Sequence, residues 1–235
     1  MSTAERRPRV VVLSGAGISA ESGLQTFRGA GGLWNDHRFE DLASPEGFAR
    51  DPSLVLDFYN ERRVRAWAAE PNAAHRAVAA LEGTHDVAVV TQNVDALHER
   101  AGSTRVLHVH GELAWARGTR RDGPRVRLDD RPLHVGDLCP AGSQLRPDVV
   151  WFGEAVRHLD EAEDLIAAAD IVLVVGTSLS VWPVAGLVGA ARRDAEKVVV
   201  ALELDRVPGG YRWCAARASE AVPELVAQWQ AAVAR

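Results

Sequence analysis

The chain has 235 residues, 47% hydrophobic and 25% charged, with a formal net charge of −5. That composition excludes a disordered or collagen-like chain and argues against tight, nonspecific nucleic-acid binding. It leaves room for one sizeable core plus a small appended module. No apolar run approaches the ~18 residues of a membrane helix, so no membrane association is expected. The apolar run at 10–13 stops at Ser14-Gly15, too short for the core of an export signal. With two cysteines, Cys139 and Cys214, the chain reads as cytoplasmic and reduced. Of 27 Lys and Arg residues, all but Lys197 are arginine.

Apolar, β-branched runs at 10–13, 87–91, 106–109, 171–175 and 198–204 have the character of strands covered on both faces. Between them the pattern predicts helices at 54–69, 72–81, 95–100, 160–169, 184–193 and 219–233. Alternating strands and helices imply an α/β chain with a Rossmann-type, doubly wound parallel sheet. Two stretches interrupt that rhythm. Residues 28–70 offer no strand, and 112–147 are polar, arginine-rich and without a long periodic segment. Insertions of that length are expected to pack together as a smaller lobe. The expected division is a nucleotide-binding domain from 1–27, 71–111 and 148–235, with 28–70 and 112–147 forming the lobe.

The first strand runs into Gly15-Ala16-Gly17-Ile18-Ser19-Ala20, a G-x-G-x-x-A pattern opening a helix. The first glycine allows a tight turn, the second lets backbone approach a pyrophosphate, and the third small residue lets helix and strand pack. A bare strand-to-helix turn would show the same residues. The acidic residue that usually follows about 20 positions on is missing, because the chain has entered its first insertion. Glu203 and Asp205, after the strand at 198–204, are the substitutes, or else an ordinary solvated strand end. Gly176-Thr177-Ser178 forms a second turn at a strand's carboxyl end.

Thr91-Gln92-Asn93-Val94-Asp95 ends another strand; its polar side chains suit an amide or ribose, although Asp95 also suits a helix cap. His108 and His110 lie two apart, on one strand face. His110, at the strand end before Gly111, could act as a general base, contribute half of a metal site, or simply pack.

In chain order, the glycine loop through Glu21-Ser22-Gly23, Thr26-Phe27-Arg28, Thr91-Gln92-Asn93-Val94-Asp95, His110-Gly111, Val150-Trp151-Phe152-Gly153-Glu154 and Gly176-Thr177-Ser178 resemble the sirtuins. The resemblance implies that NAD and an acyl-lysine protein or peptide meet between a Rossmann domain and a small lobe. It implies removal of the acyl group with release of nicotinamide and formation of O-acyl-ADP-ribose. His110 would deprotonate a ribose hydroxyl, directly or through its neighbour, with Asn93 positioning ribose or water. Gln92, Asn93 and Asp95 would line the nicotinamide–ribose pocket, with Ser19 near the carboxamide. Gly15, Ala16, Gly17, Ala20, Glu21, Thr26, Phe27, Trp34, Gly176, Thr177 and Ser178 would complete the cofactor site, and Arg28 would order its loop. Glu203 would accept the adenine-ribose hydroxyls, disfavouring a 2′-phosphate, and Ala218 would touch adenine. Val150, Trp151, Phe152, Gly153 and Glu154 would receive the substrate backbone as an added strand.

Tyr59 and Arg62 resemble the Tyr-x-x-Arg pair of desuccinylating and demalonylating sirtuins, and Ala30 matches the small residue that widens their acyl pocket. Three apart on a helix, a phenol and a guanidinium fork suit a substrate carboxylate. With so many arginines, spacing alone carries little. The expected activity is desuccinylation or demalonylation, with deacetylation alongside.

Most sirtuins hold structural zinc with two Cys-x-x-Cys pairs; here the first is absent and only Cys139 remains of the second. His134, Asp137 and Cys139 are a poor set for tetrahedral zinc, so none is expected. Trp115, Leu128, Leu133, Val135 and Leu138 are the expected packing residues in its place. A dehydrogenase, an ADP-ribosyltransferase and a non-enzymatic NAD or ADP-ribose-binding module are the competing classes.

Overall fold

A computed structural model describes residues 6–26, 39–120 and 123–234. The chain opens with strand β1 (Arg9–Ser14), whose Val and Leu residues are buried on both sides, and a single helical turn, α1 (Gly17–Ala20). Short helices α2 (Phe39–Leu42) and α3 (Pro45–Arg50) lead to the long α4 (Pro52–Ala68). Side-chain caps start two of these helices. Ser44 accepts from the Gly47 amide and Asp51 from the Leu54 amide, and each helix has proline in its first turn.

Next come α5 (Ala73–Leu81), β2 (Asp86–Thr91), α6 (Leu97–Ala101) and β3 (Val106–His108). Asn72 caps α5 in a reciprocal box: its side chain accepts from Ala74 N, and His75 Nδ1 accepts from Asn72 N. Strands β4 (Gly111–Gly118), β5 (Val126–Arg127) and β6 (Leu145–Val149) follow, then α7 (Leu159–Ala168) and β7 (Ile171–Val175). A 3-10 helix (Val184–Ala190), β8 (Glu196–Val200), β9 (Arg212–Cys214) and α8 (Ala218–Val233) complete the chain.

Six strands form a parallel sheet in the order β3-β2-β1-β7-β8-β9. Alternate residues of each strand face opposite layers. Val10, Val12, Val87, Val89, Leu173, Val175, Val198 and Val200 meet α5 and α8, whose Val222, Leu225, Val226 and Trp229 are buried there. Val11, Leu13, Val90, Val172, Val174 and Val199 meet Ala162 and Ile166 of α7 and Val184 and Leu187 of the 3-10 helix. Each such aliphatic side chain contributes up to about 1.5–3 kcal/mol by leaving water, so these two layers dominate stability.

A separate antiparallel sheet, β5-β4-β6, packs with α3 and α4. Phe48, Val55, Leu56 and Tyr59 meet Leu113, Ala116, Leu128, Leu133, Leu145 and Trp151 in a third apolar cluster. The fold is therefore a Rossmann-type parallel sheet with a smaller antiparallel sheet beside it. Among the described residues, no helix is long and apolar enough to cross a membrane.

The structure corrects several sequence expectations. Strand β8 ends at Val200, so 201–204 is irregular backbone. The segment expected as a helix from 184 is a 3-10 helix, and β9 was not anticipated. The stretch 112–147 holds most of an eight-residue strand, β4, whose register shift between Glu112 and Ala116 interrupts the period-two pattern. Leu128 and Leu133 are core residues as expected, but Val135 and Leu138 are each 58% exposed. They flank a turn in which Gly136 has φ +100°, the His134 amide donates to Asp137, and the Gly136 amide donates to Gln144. Trp115 is half-buried under the Arg125 and Arg127 guanidiniums.

Candidate functional site

The sheet grows from β1 toward β2 and β3 on one side and from β7 toward β9 on the other. The loops after β1 and β7 therefore diverge from neighbouring strand ends, the switch point where open α/β sheets take ligands. Both turns depend on glycine. The Gly15 amide donates to Val175 O and the Gly17 amide to Gly176 O, at 3.0 and 2.7 Å. Gly176 has φ +64°, and a Cβ there would lie 2.1 Å from the Ile18 nitrogen. The two loops thus interlock backbone to backbone.

This interlock revises the role of the third small residue. Ala20 is exposed, and α1 is one turn long, so close packing falls to Gly17 against Gly176. Ala16 is half-buried between the glycines. Glu21 takes a different part: Ser219 donates to its carboxylate from both amide and hydroxyl, so Glu21 caps α8, which has no cap of its own. Ala218, at the start of α8, belongs to the buried core.

The loop after β2 lies against the glycine turn. Asn93 is buried; its Nδ2 donates to Gly15 O at 3.1 Å and to Ser19 Oγ at 3.2 Å. Its Oδ1 is buried with no hydrogen-bond partner among the described residues. Such an orphan acceptor costs stability of order 1–3 kcal/mol unless something donates to it. Ser19 Oγ donates to Asp95 Oδ2 at 3.1 Å, while Asp95 Oδ1 accepts from Leu97 N and so starts α6. Burial pushes the Asp95 carboxyl above the ordinary range, against the bonds from Leu97 and Ser19. Gln92 Nε2 donates to Thr177 Oγ1 at 3.2 Å, tying this loop to the one after β7. Ser178 bonds to Ser180 instead.

His110 is half-buried, with Nδ1 3.1 Å from Gln92 O. A carbonyl can only accept, so Nδ1 carries the proton and Nε2 keeps its lone pair. Burial lowers the pKa of His110 below the ordinary 6.5, despite that bond. The ring is therefore neutral near pH 7. His108, two residues earlier, is bonded to Asn93 O and Glu99. Gly111, at φ +81°, has no room for a Cβ, which would sit 2.1 Å from Asp148 O.

On α4, Tyr59 is buried and its hydroxyl accepts from Trp151 Nε1 at 3.0 Å. The Arg62 guanidinium lies 5.6 Å from the Tyr59 ring and 5.4 Å from the Phe58 ring. Arg62 lines a small cavity of about 40 Å³ together with Gln25, Asp95 and Leu113. Burial lowers the pKa of Arg62, and Tyr59 and Asp95 oppose that shift.

Residues 150–154 form a turn, with Gly153 at φ +86°. The amide of Val150 donates to His110 O, that of Trp151 to Glu154 Oε2, that of Phe152 to Ala43 O, and that of Glu154 to Trp151 O. These four amides are engaged within the protein, so an incoming strand would have to use other groups. Trp151 is core, and Glu154 pairs with Arg117 and Arg146 at 3.0 and 2.9 Å. Glu203 is exposed in the irregular backbone that follows β8, and Asp205 is exposed too. Thr26 is half-buried; Phe27, Arg28, Ala30 and Trp34 lie outside the described residues.

Sequence reasoning missed the Glu154 arginine pairs, the Glu21 cap and the buried histidines. His75 and His98 meet edge to face at 4.9 Å beneath the glycine loop, His98 bonded to Ser14 at 3.0 Å. The Asn-x-x-His capping spacing of residues 72 and 75 was the available signal for His75. His134, Asp137 and Cys139 do not converge: the buried Cys139 Sγ is 3.1 Å from Ser143 Oγ, and His134 is exposed. Among the described residues, no three His, Cys, Asp or Glu side chains gather to hold a metal ion. The donor set does not fit structural zinc.

Fold and site together define a Rossmann-type α/β protein with polar loops gathered at the switch point of its sheet. The Sir2 family model matches residues 15–183, and the chain belongs to that family. An NAD-dependent protein deacylase of Helicobacter pylori is 52% identical over 186 residues, covering 79% of this chain and 81% of its own. A mutant Sir2 homologue solved with ADP-ribose superposes with a TM-score of 0.88 at 38% identity, covering 97% of this chain and 94% of that one. A Sir2 homologue solved with NAD gives 0.84 at 40% identity, covering 97% and 91%.

Proposed function

We propose that this chain is an NAD-dependent protein-lysine deacylase that releases nicotinamide and forms O-acyl-ADP-ribose, acting on acyl-lysine proteins or peptides in the cytoplasm. The observation that carries the reading is the pairing of a neutral His110, Nε2 unprotonated, with the neighbouring orphan Oδ1 of Asn93. The names of the relatives support the same activity. The buried orphan acceptor fits a ribose hydroxyl, and the two glycine turns supply backbone close to a phosphate path.

NAD, when bound, supplies a glycosidic bond whose nicotinamide is the leaving group. Asn93 accepts from a ribose hydroxyl through Oδ1, its Nδ2 being held by Gly15 and Ser19. His110 takes a proton at Nε2, the step that turns a ribose hydroxyl into a nucleophile. Asp95 and Ser19 orient the carboxamide end. Glu21 caps α8 and Ala218 packs in the core, so their part at the cofactor runs through the placement of α8. No structural zinc takes part.

Acidic acyl groups are the preferred substrates. Arg62 lies against Tyr59 and lines the cavity that Asp95 also reaches, so a guanidinium is presented beside the reaction loop. The Tyr59 hydroxyl accepts from Trp151 and retains its own proton to donate. The test is a panel of succinyl-, malonyl- and acetyl-lysine peptides with mass-spectrometric product identification. Nicotinamide should appear only with acyl-lysine present. In Arg62→Met, succinyl turnover should fall roughly 10- to 100-fold, as expected for a lost charge-assisted bond, and acetyl turnover much less. Equal losses would refute the acidic preference. Labelling of protein without acyl-lysine would indicate an ADP-ribosyltransferase, and NADH formation a dehydrogenase. Binding of NAD or ADP-ribose without turnover would indicate a non-enzymatic module.

A further inference from the structure

The His108 side chain, beside the site, is only 8% exposed. Its Nδ1 lies 3.0 Å from Asn93 O and its Nε2 lies 2.7 Å from Glu99 Oε1. A carbonyl and a carboxylate both only accept, so making both bonds requires a proton on each ring nitrogen. His108 is therefore an imidazolium, whereas His110 is neutral.

The charge sits at a structurally consequential point. The carbonyls of Gln92, Asn93 and Val94 accept in turn from His110 Nδ1, His108 Nδ1 and Leu113 N, at 3.1, 3.0 and 2.8 Å. The loop holding Gln92, Asn93 and Asp95 is thus zipped to the segment leaving β3, and the middle tooth is the charged one. Charge-assisted bonds are shorter and about twice as strong as neutral ones.

We propose that His108, held by Glu99, is a positioning residue that fixes the Asn93 peptide, and through it both Asn93 Oδ1 and the His110 ring. The inference rests on the roles given above to Asn93 and His110. The titration of the pair is consistent with it. Burial pushes His108 down, but the bond and charge of Glu99, the charge of Glu112 and the Asn93 carbonyl carry it above 6.5. Burial would raise Glu99, yet its bond and charge contact with His108 hold it below the ordinary carboxylate value. The same positive charge acts on Asp95, in the loop after β2, and on His98 of α6.

Two isosteric substitutions separate the two bonds. His108→Asn places an amide nitrogen where Nδ1 was, keeping the Asn93 bond and losing Glu99. His108→Gln places one near Nε2, keeping Glu99 and losing Asn93. Both should lower the melting temperature to a similar degree. His108→Asn should retain most of kcat, whereas His108→Gln should lose roughly 10- to 100-fold in kcat with a smaller change in KM. Imidazole 15N resonances should show His108 doubly protonated and His110 neutral at pH 7.5. Equal kcat losses in the two variants, losses that track melting temperature, or a neutral His108 would overturn the inference. His110→Ala distinguishes the premise: full turnover in that variant removes the reading on which the inference stands. An inactive His110→Ala beside two indistinguishable His108 variants removes the positioning role alone.

Discussion

Replacing Glu154 by Gln tests whether this residue holds the small sheet to the loop that leaves it. Its side chain, 8% exposed, accepts from Arg117 and Arg146 and from the Trp151 amide. Burial would raise its pKa, but the Arg146 bond, the Trp151 amide and the charges of Arg146 and Arg117 bring it from 4.5 down to about 2. At 1.36 kcal/mol for each pH unit, that depression corresponds to about 3 kcal/mol of native-state stabilisation at neutral pH. Glutamine keeps an oxygen for the Trp151 amide, but its NH2 cannot accept, so the substitution removes the charge together with the arginine bonds to Oε1. For a chain of this size, about 3 kcal/mol lowers the melting temperature by about 6–12 °C. Because the folded-state value lies below the unfolded one, the contribution is complete above pH 4.5 and fades as pH falls toward 2. Thermal melts of both proteins should therefore show a gap at pH 7 that narrows by pH 3.5. A gap that is absent at pH 7, or as wide at pH 3.5, would refute the ionic account.

Two further measurements address the site and the lobe. The acid limb of kcat/KM should have its midpoint below pH 6.5, because the base must be neutral and burial lowers the pKa of His110; a midpoint above 7 would contradict that assignment. Exhaustive chelation should leave the melting temperature unchanged, and metal analysis should find less than one zinc per chain; retention of one equivalent would overturn the proposal that the lobe folds without it.

Strands β1, β2 and β7 were legible because burial on both faces writes an unbroken Val/Leu/Ile run. The end of β8 was not. Ala201 to Leu204 remain largely apolar, but the Ala201 carbonyl is taken by the Trp213 indole N–H, a long-range contact that periodicity does not record. Strand β4 was hidden by its bulge and by Arg117, a charge on a mostly buried surface that makes sense only once Asp148 and Glu154 are placed beside it. At the site, the glycine turns and the Gln92–Asp95 loop could be read from residue type. The exposure of Ala20 and the use of Glu21 as a cap could not, because both follow from α1 being one turn long. The inward-facing amides of 150–154 likewise depend on partners as distant as Ala43.

The charges of the small sheet and the segment that leaves β3 form one mechanical unit. Asp148, 1% exposed on β6, takes Arg117 from β4 and Arg125 and Arg157 from the segments around it. That cluster clamps β4 to β6 at the end where Gly111 lies opposite Val149. One residue before Gly111 is His110, whose carbonyl accepts from the Val150 amide just past β6, while its ring donates to Gln92. Main chain and side chain of the same histidine are therefore anchored to the residues just past β6 and β2, strands of two different sheets. A buried pair broken by removing one partner costs about 3–5 kcal/mol. Loosening Asp148 would move the backbone that aims His110 as well as weaken the lobe. Arginine forks on a buried carboxylate thus hold β4 against β6, next to the histidine for which a catalytic role is proposed.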